Sequence, residues 1–543
     1  MYPPDLNALV VDDAITVRQS VRMMLGQLGI TKTESASNAG EARRRIQNGR
    51  YDIILCDYHF GPGMTGQELL EDLRHSGVLP LDAIFIMITA EASYERVVAV
   101  AEVAPDDYIL KPFTADQIDK RLQRAWQKRV VMAEVHAAIG SGKINDAIGL
   151  AHGLLARHDV PFRSEITRFL TRMLTEAGRH EEAAQVCEQI LRQRGGVPWA
   201  RLGLAKYLER CGREGEAEAM LAALIAESSV YVDAYDALAQ HYTDRDEHDA
   251  ALEVIERSLK VTPNNIHRLQ GAGMSSYLLG DAENARKYLE RAVAHGANSA
   301  SLQPRALFCL ILSSVSTGKT REAEKSLALL RGISERRNNF ETEVLIQYAN
   351  VLLAGVNHQQ ESLQQFLLGL DTKVRDQAFT LDLASDCLET LSAFESSEPV
   401  IIETTRRLAM RFANQKRSVE HMEQAARKSP VLLELIKDCV ARINQLANQG
   451  MMLVMKGNLE EAARHLYNHA METCNARLLL AAANACIKAA QGSDHPRRAE
   501  HLLKQASDCV TRLAFEYHDP TVLDQLERDM SDAMQALKTH RSA

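Results

Sequence analysis

Three acidic side chains in the first sixty residues stand directly after short apolar runs. Asp12 and Asp13 follow the run at 8–11, and Asp57 follows the run at 53–56. Carboxylates that meet at one point repel each other unless a cation lies between them. Mg²⁺ suits such a place, because it prefers carboxylate oxygens together with water and phosphate oxygens. If these runs are neighbouring strands, their acids form a magnesium site.

Two other polar residues end apolar runs further along the chain. Thr89 closes the run at 83–89, and Lys111 follows the run at 107–110. A lysine gives a phosphoryl group a positive hydrogen-bond donor, and a threonine hydroxyl gives it a neutral one. This set of residues could place a phosphoryl group on Asp57, with a cation and Lys111 offsetting the charge that develops during in-line transfer.

The elements that carry these residues alternate between two types up to about residue 127. Short runs rich in β-branched residues, separated by amphipathic helical stretches, predict strands near 7–11, 31–36, 54–57, 83–89 and 107–110. Strands that alternate with helices of this length favour a parallel sheet covered on both faces. Ligands bind such sheets at the carboxyl ends of the strands, where the polar residues above would lie.

Four short motifs occur here in a fixed order: "VVDD" (10–13), "CD" (56–57), "MITA" (87–90) and "YILKPF" (108–113). In order and spacing they resemble the receiver domain of two-component response regulators, the CheY-like family. The resemblance covers roughly residues 5 to 127. It implies a flavodoxin-like, doubly wound α/β fold with five parallel strands in the order 2-1-3-4-5. One departure is the loop after the acceptor, where Gly66 comes nine residues after Asp57 and Gly61–Pro62 replaces the usual Met-Pro.

The resemblance also implies a metal site. Asp57 would be the phosphoacceptor. Asp13 and Asp57 would bind Mg²⁺ directly, with Asp12 assisting through water and the backbone carbonyl of His59 as a further ligand.

The phosphate and switch positions follow from the same resemblance. Lys111 would hold the acyl phosphate, and Thr89, followed by Ala90, would close on it. Tyr108 would be the switch aromatic, and the bond from Lys111 to Pro112 would be one that is often cis in the family.

Beyond residue 130 the strand signals stop and a repeat begins. A glycine, or Asp246 in one case, is followed five residues later by an alanine, at Ala147, Ala183, Ala217, Ala251, Ala285 and Ala323. Three consecutive intervals are 34 residues, the length of a tetratricopeptide helix–turn–helix unit. The glycine is predicted in the turn, where positive φ is often needed, and the alanine where two helices approach closely.

These rhythms divide the chain into a receiver-like domain at 1–127, tetratricopeptide repeats at 128–335 and C-terminal repeat-like helices at 446–543. The stretch at 336–445 is predicted to hold degenerate repeats, with a separate helical subdomain as the alternative. Because no proline or glycine interrupts residues 114–139, the last helix of the first domain is predicted to run directly into the array.

Composition argues against several classes of protein. A net charge of −9 gives no reason to expect nucleic-acid binding. Nine cysteines without a C-x-x-C motif indicate reduced thiols in the cytoplasm. The N-terminus lacks the basic segment of a signal peptide, and no apolar run is long enough for membrane insertion.

The sequence therefore predicts a response regulator that is not an enzyme in the usual sense. A sensor histidine kinase or phosphotransfer protein would donate the phosphoryl group, and the repeats would bind an unidentified protein or peptide. Phosphate on Asp57 would draw Thr89 inward with Tyr108 following, a shift that needs about 5 kcal/mol of differential stability. The sequence also leaves open a homodimer that forms through the receiver-like domain. The alternatives are a constitutive scaffold that docks to a kinase and, less favoured, a DNA-binding regulator.

Overall fold

The computed structural model describes residues 2–3, 5–60, 64–90, 105–296, 301–336, 339–356, 373, 376, 378–392, 399–493, 495–516 and 520–542. The chain forms two compact units, Met1–Thr317 and Gly318–Ala543. Within the described ranges, no helix has both the length and the apolarity that crossing a bilayer requires.

Five parallel strands form the N-terminal sheet. They are β1 (Asn7–Val11), β2 (Lys32–Ala36), β3 (Ile53–Asp57), β4 (Ile84–Thr89) and β5 (Asp107–Leu110). Their order is β2-β1-β3-β4-β5, which confirms the predicted doubly wound α/β topology. Val11 pairs with Cys56, and Thr89 pairs with Leu110, so the carboxyl ends of the central strands lie level along one edge. The polar residues that follow the strands are therefore neighbours.

Helices cover both faces of this sheet. They are α1 (Ile15–Gln27), α2 (Ala39–Asn48), α3 (Gly66–His75) and α4 (Ala115–Val131). Leu69 and Leu70 of α3 pack with Leu9 and Phe85 on one face. On the other face, α1 and α4 pack on the alternate strand residues such as Leu55. The segment 91–104, between β4 and β5, lies outside the described residues.

Eleven helices follow in the described part of the first unit, ten of them in five antiparallel hairpins. They are α5 (Ala133–Gly140), α6 (Ile144–Ala156), α7 (Arg163–Glu176), α8 (His180–Gln193), α9 (Pro198–Arg210), α10 (Glu214–Glu227), α11 (Val232–Asp244), α12 (His248–Leu259), α13 (Ile266–Leu278), α14 (Ala282–Gly296) and α15 (Pro304–Ser316). Each hairpin turn contains one residue of the predicted glycine series.

The turn residues adopt the left-handed conformation that the sequence predicts. The φ angles of Gly142, Gly178, Gly212 and Gly280 lie between 72° and 86°, and Asp246, which stands in a glycine's place, has φ of 60°. The alanine five residues after each turn is buried, at Ala147, Ala183, Ala217, Ala251 and Ala285. A side chain larger than methyl at these positions would separate the packed helices.

The sheet domain and the helical array are joined by nearly continuous helix. Only Met132 separates α4 from α5, and its φ and ψ of −90° and 0° are close to helical values. The Met132 N–H donates to Lys128 O at 3.0 Å, and the His136 N–H donates to Met132 O at 2.9 Å. The helical hydrogen bonds thus cross the joint, as the uninterrupted sequence at 114–139 predicts.

In the described part of the second unit, all the regular elements are helices. Its helices are α16 (Thr320–Arg336), α17 (Phe340–Val356), α18 (Leu381–Leu391), α19 (Pro399–Phe412), α20 (Lys416–Ala425), α21 (Pro430–Met455), α22 (Leu459–Thr473), α23 (Ala476–Gln491), α24 (Pro496–Glu516) and α25 (Pro520–Ser542). Gly457 turns between α21 and α22 with φ of 81°, and Ala462 is fully buried, in line with the repeat pattern. The boundary expected at 445/446 falls inside α21.

Candidate functional site

The acidic residues after β1 and at the end of β3 meet at one edge of the sheet. Ligand oxygens of Asp12, Asp13 and Asp57 lie within 4.8 Å of one another. Asp12 and Asp57 are buried, whereas Asp13 is exposed. The three acids therefore form a pocket with buried walls and one open side.

Lys111 enters this pocket from the end of β5. Its Nζ lies 2.9 Å from Asp12 Oδ2 and 3.0 Å from Asp57 Oδ2. Burial acts to lower the pKa of Lys111, but its bonds to the two carboxylates outweigh burial, so the pKa is raised. Lys111 is thus protonated and supplies one positive charge between two buried acids.

The charge of Asp57 is only partly balanced by this lysine. Burial raises the pKa of Asp57, Lys111 acts to lower it, and the nearby Asp12 raises it, with a net upward shift. Additional positive charge near such a carboxylate favours its ionised form. The pocket thus fits a divalent cation.

Backbone donors fix the orientation of both buried acids. The Tyr58 N–H donates to Asp57 Oδ1 at 2.9 Å, and the Ala14 N–H donates to Asp12 Oδ1 at 2.8 Å. In each carboxylate the remaining oxygen faces Lys111. Arg18 donates to the backbone carbonyl oxygens of Asp12 and Asp13 at 2.6 and 3.0 Å, and so holds the segment that carries Asp13. All the acidic ligand atoms here are oxygens, the donor set that suits Mg²⁺.

The remaining residues expected at the site lie around the same edge. Thr89 ends β4 and is buried, while Ala90 after it is exposed. The Lys111 N–H donates to Thr89 O at 2.7 Å, which keeps the ends of β4 and β5 together. The Tyr108 ring is buried, and the bond from Lys111 to Pro112 is cis.

The loop after Asp57 is only partly described. The side chain of His59 is exposed, and its ring lies edge-on to that of Tyr58 with centroids 4.8 Å apart. Gly61 and Pro62, which mark the departure from the family pattern, lie outside the described residues.

Gly66 is a site residue whose role the sequence reasoning missed. Its N–H donates to Tyr58 O at 2.7 Å, and a Cβ atom at this position would stand 2.2 Å from the carbonyl oxygen of Asp57. Only glycine can begin α3 against the backbone of Asp57. The signal was present as a glycine between a helix-capping threonine and Glu68, in the "TGQE" stretch.

Comparison with known proteins agrees with this geometry. Residues 8–123 match the family model described as response regulator receiver domain. The N-terminal part of the chain is a receiver domain. The receiver is 31% identical over 129 residues to the chemotaxis protein CheY of Pseudomonas aeruginosa, covering 23% of this chain and 98% of that protein. It is 32% identical over 124 residues to CheY-3 of Vibrio cholerae, covering 23% of this chain and 94% of that protein.

The helices after the receiver match a second type of family model. Residues 132–198 and 174–240 match two models that are both described as tetratricopeptide repeat. Tetratricopeptide repeats therefore follow the receiver.

Two solved structures are each similar to part of this chain. YrrB, a tetratricopeptide protein with an unusual peptide-binding site, is 16% identical with a TM-score of 0.29 and covers 34% of this chain and 90% of its own. CheY4 of Vibrio cholerae is 30% identical with a TM-score of 0.20 and covers 22% of this chain and 98% of its own.

Proposed function

We propose that this protein is a response regulator that accepts a phosphoryl group on Asp57 and, in response, changes what its tetratricopeptide array binds. The donor is a sensor histidine kinase or a phosphotransfer protein. The observation that carries the proposal is the convergence of Asp12, Asp13, Asp57 and Lys111 at the carboxyl edge of the receiver sheet.

In the transfer, an Asp57 carboxylate oxygen attacks phosphorus. The new O–P bond forms as the N–P bond to the donor's imidazole breaks, and the imidazole leaves with the electron pair. Lys111 lies within hydrogen-bond distance of the attacking carboxylate and supplies a positive donor to the incoming phosphoryl oxygens. Thr89, which ends the neighbouring strand β4, would contribute its hydroxyl.

Asp13 and Asp57, with Asp12 through water and the His59 carbonyl, would hold Mg²⁺. When bound, Mg²⁺ supplies positive charge that offsets the charge of the transferring group. The assignment is supported by the ligand oxygens of Asp12, Asp13 and Asp57, which all lie within 4.8 Å of one another.

The output is assigned to the array. Stacked tetratricopeptide hairpins form extended surfaces that hold peptides or helices of other proteins. We propose the receiver at 1–127, repeats at 128–335, degenerate repeats at 336–445 and repeat-like helices at 446–543. Nine free thiols fit a reducing compartment, so the proposed location is the cytoplasm.

Labelling with acetyl phosphate and Mg²⁺, read by mass spectrometry of the whole chain, tests the acceptor. We expect one added phosphoryl group on the wild type and none on Asp57→Asn. The matched control is Asp116→Asn, which changes a carboxylate that is 71% exposed on α4, and it should be labelled like the wild type. Failure to label the wild type, or equal labelling of Asp57→Asn, would contradict the proposed acceptor.

Affinity capture then tests the output. Proteins retained by the wild type, by Asp57→Asn and by the beryllofluoride-loaded wild type are compared, and a change on loading supports the switch. An identical set in all three samples supports a constitutive scaffold. Duplex DNA binding that weakens steeply with salt would instead support a DNA-binding regulator.

A further inference from the structure

The receiver also touches the array beyond the helical joint at Met132. Helix α3 packs against the segment that leads into α13. The Asn264 N–H donates to Glu68 Oε1 at 2.9 Å, and Asn265 Nδ2 donates to Glu71 Oε2 at 2.7 Å. An Arg268 guanidinium nitrogen lies 3.4 Å from Glu71 Oε2. The array therefore leaves the receiver at α5 and returns to it at α13.

The polar residues in this contact are buried. Residues Gly66 to Leu73 of α3 are all buried, including the charged Glu68, Glu71 and Asp72. The exposed fraction of Glu68 is 0% and that of Glu71 is 4%. Since charged side chains are almost never fully buried without partners, this face of α3 is suited to an interface and not to solvent.

The array holds its side of the contact in place. Arg268 makes two hydrogen bonds to Asp236 of α11, of 2.8 and 2.7 Å. Burial acts to lower the pKa of Arg268, but Asp236 and Glu71 outweigh it, so the pKa is raised and the guanidinium stays charged. Asn265 caps α13 by accepting from the Arg268 N–H at 3.1 Å. A charged and rigid surface thus faces the acids of α3.

Further contacts extend the interface across the receiver. Arg43 of α2 forms a buried ion pair with Asp72 and lies 3.4 Å from the backbone oxygen of His295 in α14. The rings of His75 and His267 lie with centroids 5.1 Å apart. The contact therefore involves two receiver helices and two array helices.

A short series of hydrogen bonds joins this interface to the phosphoacceptor. Asp57 Oδ1 accepts from the Tyr58 N–H, and Tyr58 O accepts from the Gly66 N–H at the start of α3. One carboxylate oxygen of Glu68 accepts from the N–H of Thr65, which caps α3, at 2.8 Å, while its other oxygen accepts from Asn264 of the array. The same carboxylate thus closes the first turn of α3 and holds the array.

We propose that the contact between α3 and the start of α13 is a latch that phosphorylation of Asp57 loosens. This rests on the proposed function. Modification of Asp57 changes the carboxylate that accepts from Tyr58, and any shift of Gly66 against the Asp57 carbonyl moves the cap that Glu68 shares with the array. The latch is closed with unmodified Asp57, and its opening exposes the charged surface of Asn265 and Arg268 to a partner.

Substituting Asn265→Asp opens the latch without removing the cap of α13. Aspartate caps helices as well as asparagine does, but its carboxylate would face Glu71 in place of the amide donor. The matched control is Asn475→Asp. Asn475 is a buried N-cap of α23 that likewise donates from Nδ2, to Met410 O at 2.8 Å. This control makes the same chemical change at a position outside the contact between α3 and the start of α13.

Hydrogen–deuterium exchange of the full chain measures the latch. In the wild type, beryllofluoride with Mg²⁺ should raise exchange at 64–75 and 264–278 by ~5-fold or more over Mg²⁺ alone. Asn265→Asp should show the faster exchange without beryllofluoride, and Asn475→Asp should behave like the wild type in these segments. Coupling is reciprocal, so Asn265→Asp should also lower the half-saturating beryllium concentration by a similar factor.

Acetyl phosphate labelling separates the two proposals. If Asp57 is labelled but beryllofluoride leaves exchange at 64–75 and 264–278 unchanged or slower, the latch is wrong and the proposed function stands. If the wild type is not labelled, both the proposed function and the phosphate dependence of the latch are wrong. If Asn265→Asp leaves exchange at both segments unchanged, the contact does not protect them and the latch is wrong.

Discussion

The acid pocket of the receiver and the hairpin turns of the array depend on their individual residues in opposite ways. The pocket brings single, chemically different side chains from separate strands to one point, so none of Asp12, Asp57 and Lys111 can replace another. The turns repeat one small requirement, a positive φ followed by a buried alanine, at many places. We therefore expect single changes to abolish chemistry in the pocket and only to weaken local packing in the array.

The largest effect is expected from removing the pocket's positive charge. In Lys111→Ala, the rate of acetyl phosphate labelling should fall ~10²–10³-fold, because a preorganised donor to the transferring group is lost. The control is Lys120→Ala, which removes a lysine whose ion pair with Asp116 is exposed on both sides. Time courses followed by mass spectrometry give the rates, and equal rates for the two variants would contradict the role of Lys111.

Two glycine-to-alanine substitutions in the receiver compare a glycine that contacts backbone with a glycine on an open helix surface. Gly66→Ala should lower the free energy of unfolding of the receiver by about 3 kcal/mol, since the new methyl meets the Asp57 carbonyl oxygen. Gly26→Ala, on an open face of α1, should raise it by about 0.5–1 kcal/mol.

Urea unfolding followed by Trp126 fluorescence in a Trp199→Phe background measures both glycine variants, because the chain has two tryptophans. Trp126 packs on Tyr2 in the receiver, with ring centroids 6.2 Å apart. A Gly66→Ala protein as stable as the wild type would show that α3 can move away from Asp57 freely.

The joint between the two regions should respond to pH through His136. Burial lowers the pKa of His136 to about 4, an effect that Asp82 opposes and Arg74 reinforces. The folded pKa lies below the unfolded one, so the unfolded chain binds more protons between about pH 6.5 and 4. Stability from neutral His136 is complete above pH 6.5 and should be lost as pH falls through this window, by about 3 kcal/mol.

Unfolding midpoints of the wild type and His136→Gln across this pH window test the assignment. The pH dependence should be smaller in His136→Gln, which has no titrating ring against Phe169. Parallel curves for the two proteins would assign the pH dependence to other groups.

The smallest effects are expected at the turns of the array. Gly212→Ala should cost about 1 kcal/mol, because alanine is strained at a φ of 73°. Asp246→Gly should be neutral or slightly stabilising, because Asp246 already adopts a left-handed conformation that glycine tolerates better. Local hydrogen exchange at each turn measures these changes, and opposite signs would contradict the shared turn requirement.

The sequence was sufficient for the parts of the molecule that obey local rules. Asp57 and Lys111 were identified because both lie at the carboxyl ends of predicted strands. Side chains at the carboxyl ends of neighbouring parallel strands must meet. The turns were predicted because a residue with positive φ is usually a glycine. Glycines, with Asp246 in one place, recur in the sequence at a regular interval.

The contact between α3 and α13 could not be predicted from the same signals. Glu71 and Arg268 are separated by almost two hundred residues, and each resembles an ordinary charged residue on an amphipathic helix. The expected route from receiver to array ran only through the last receiver helix. Which charged helix face becomes buried depends on how far the hairpins curve, and no local pattern in the sequence records that curvature.

The covalent connection through Met132 changes what the second contact must achieve. Because α3 and α13 belong to one chain, they meet at an effective concentration that is set by the folded hairpins between them. Binding that would be too weak between free molecules is then enough to keep the two surfaces together. A competitor in solution would have to exceed that effective concentration to displace the contact. A modification made within the same molecule can open the contact without such an excess.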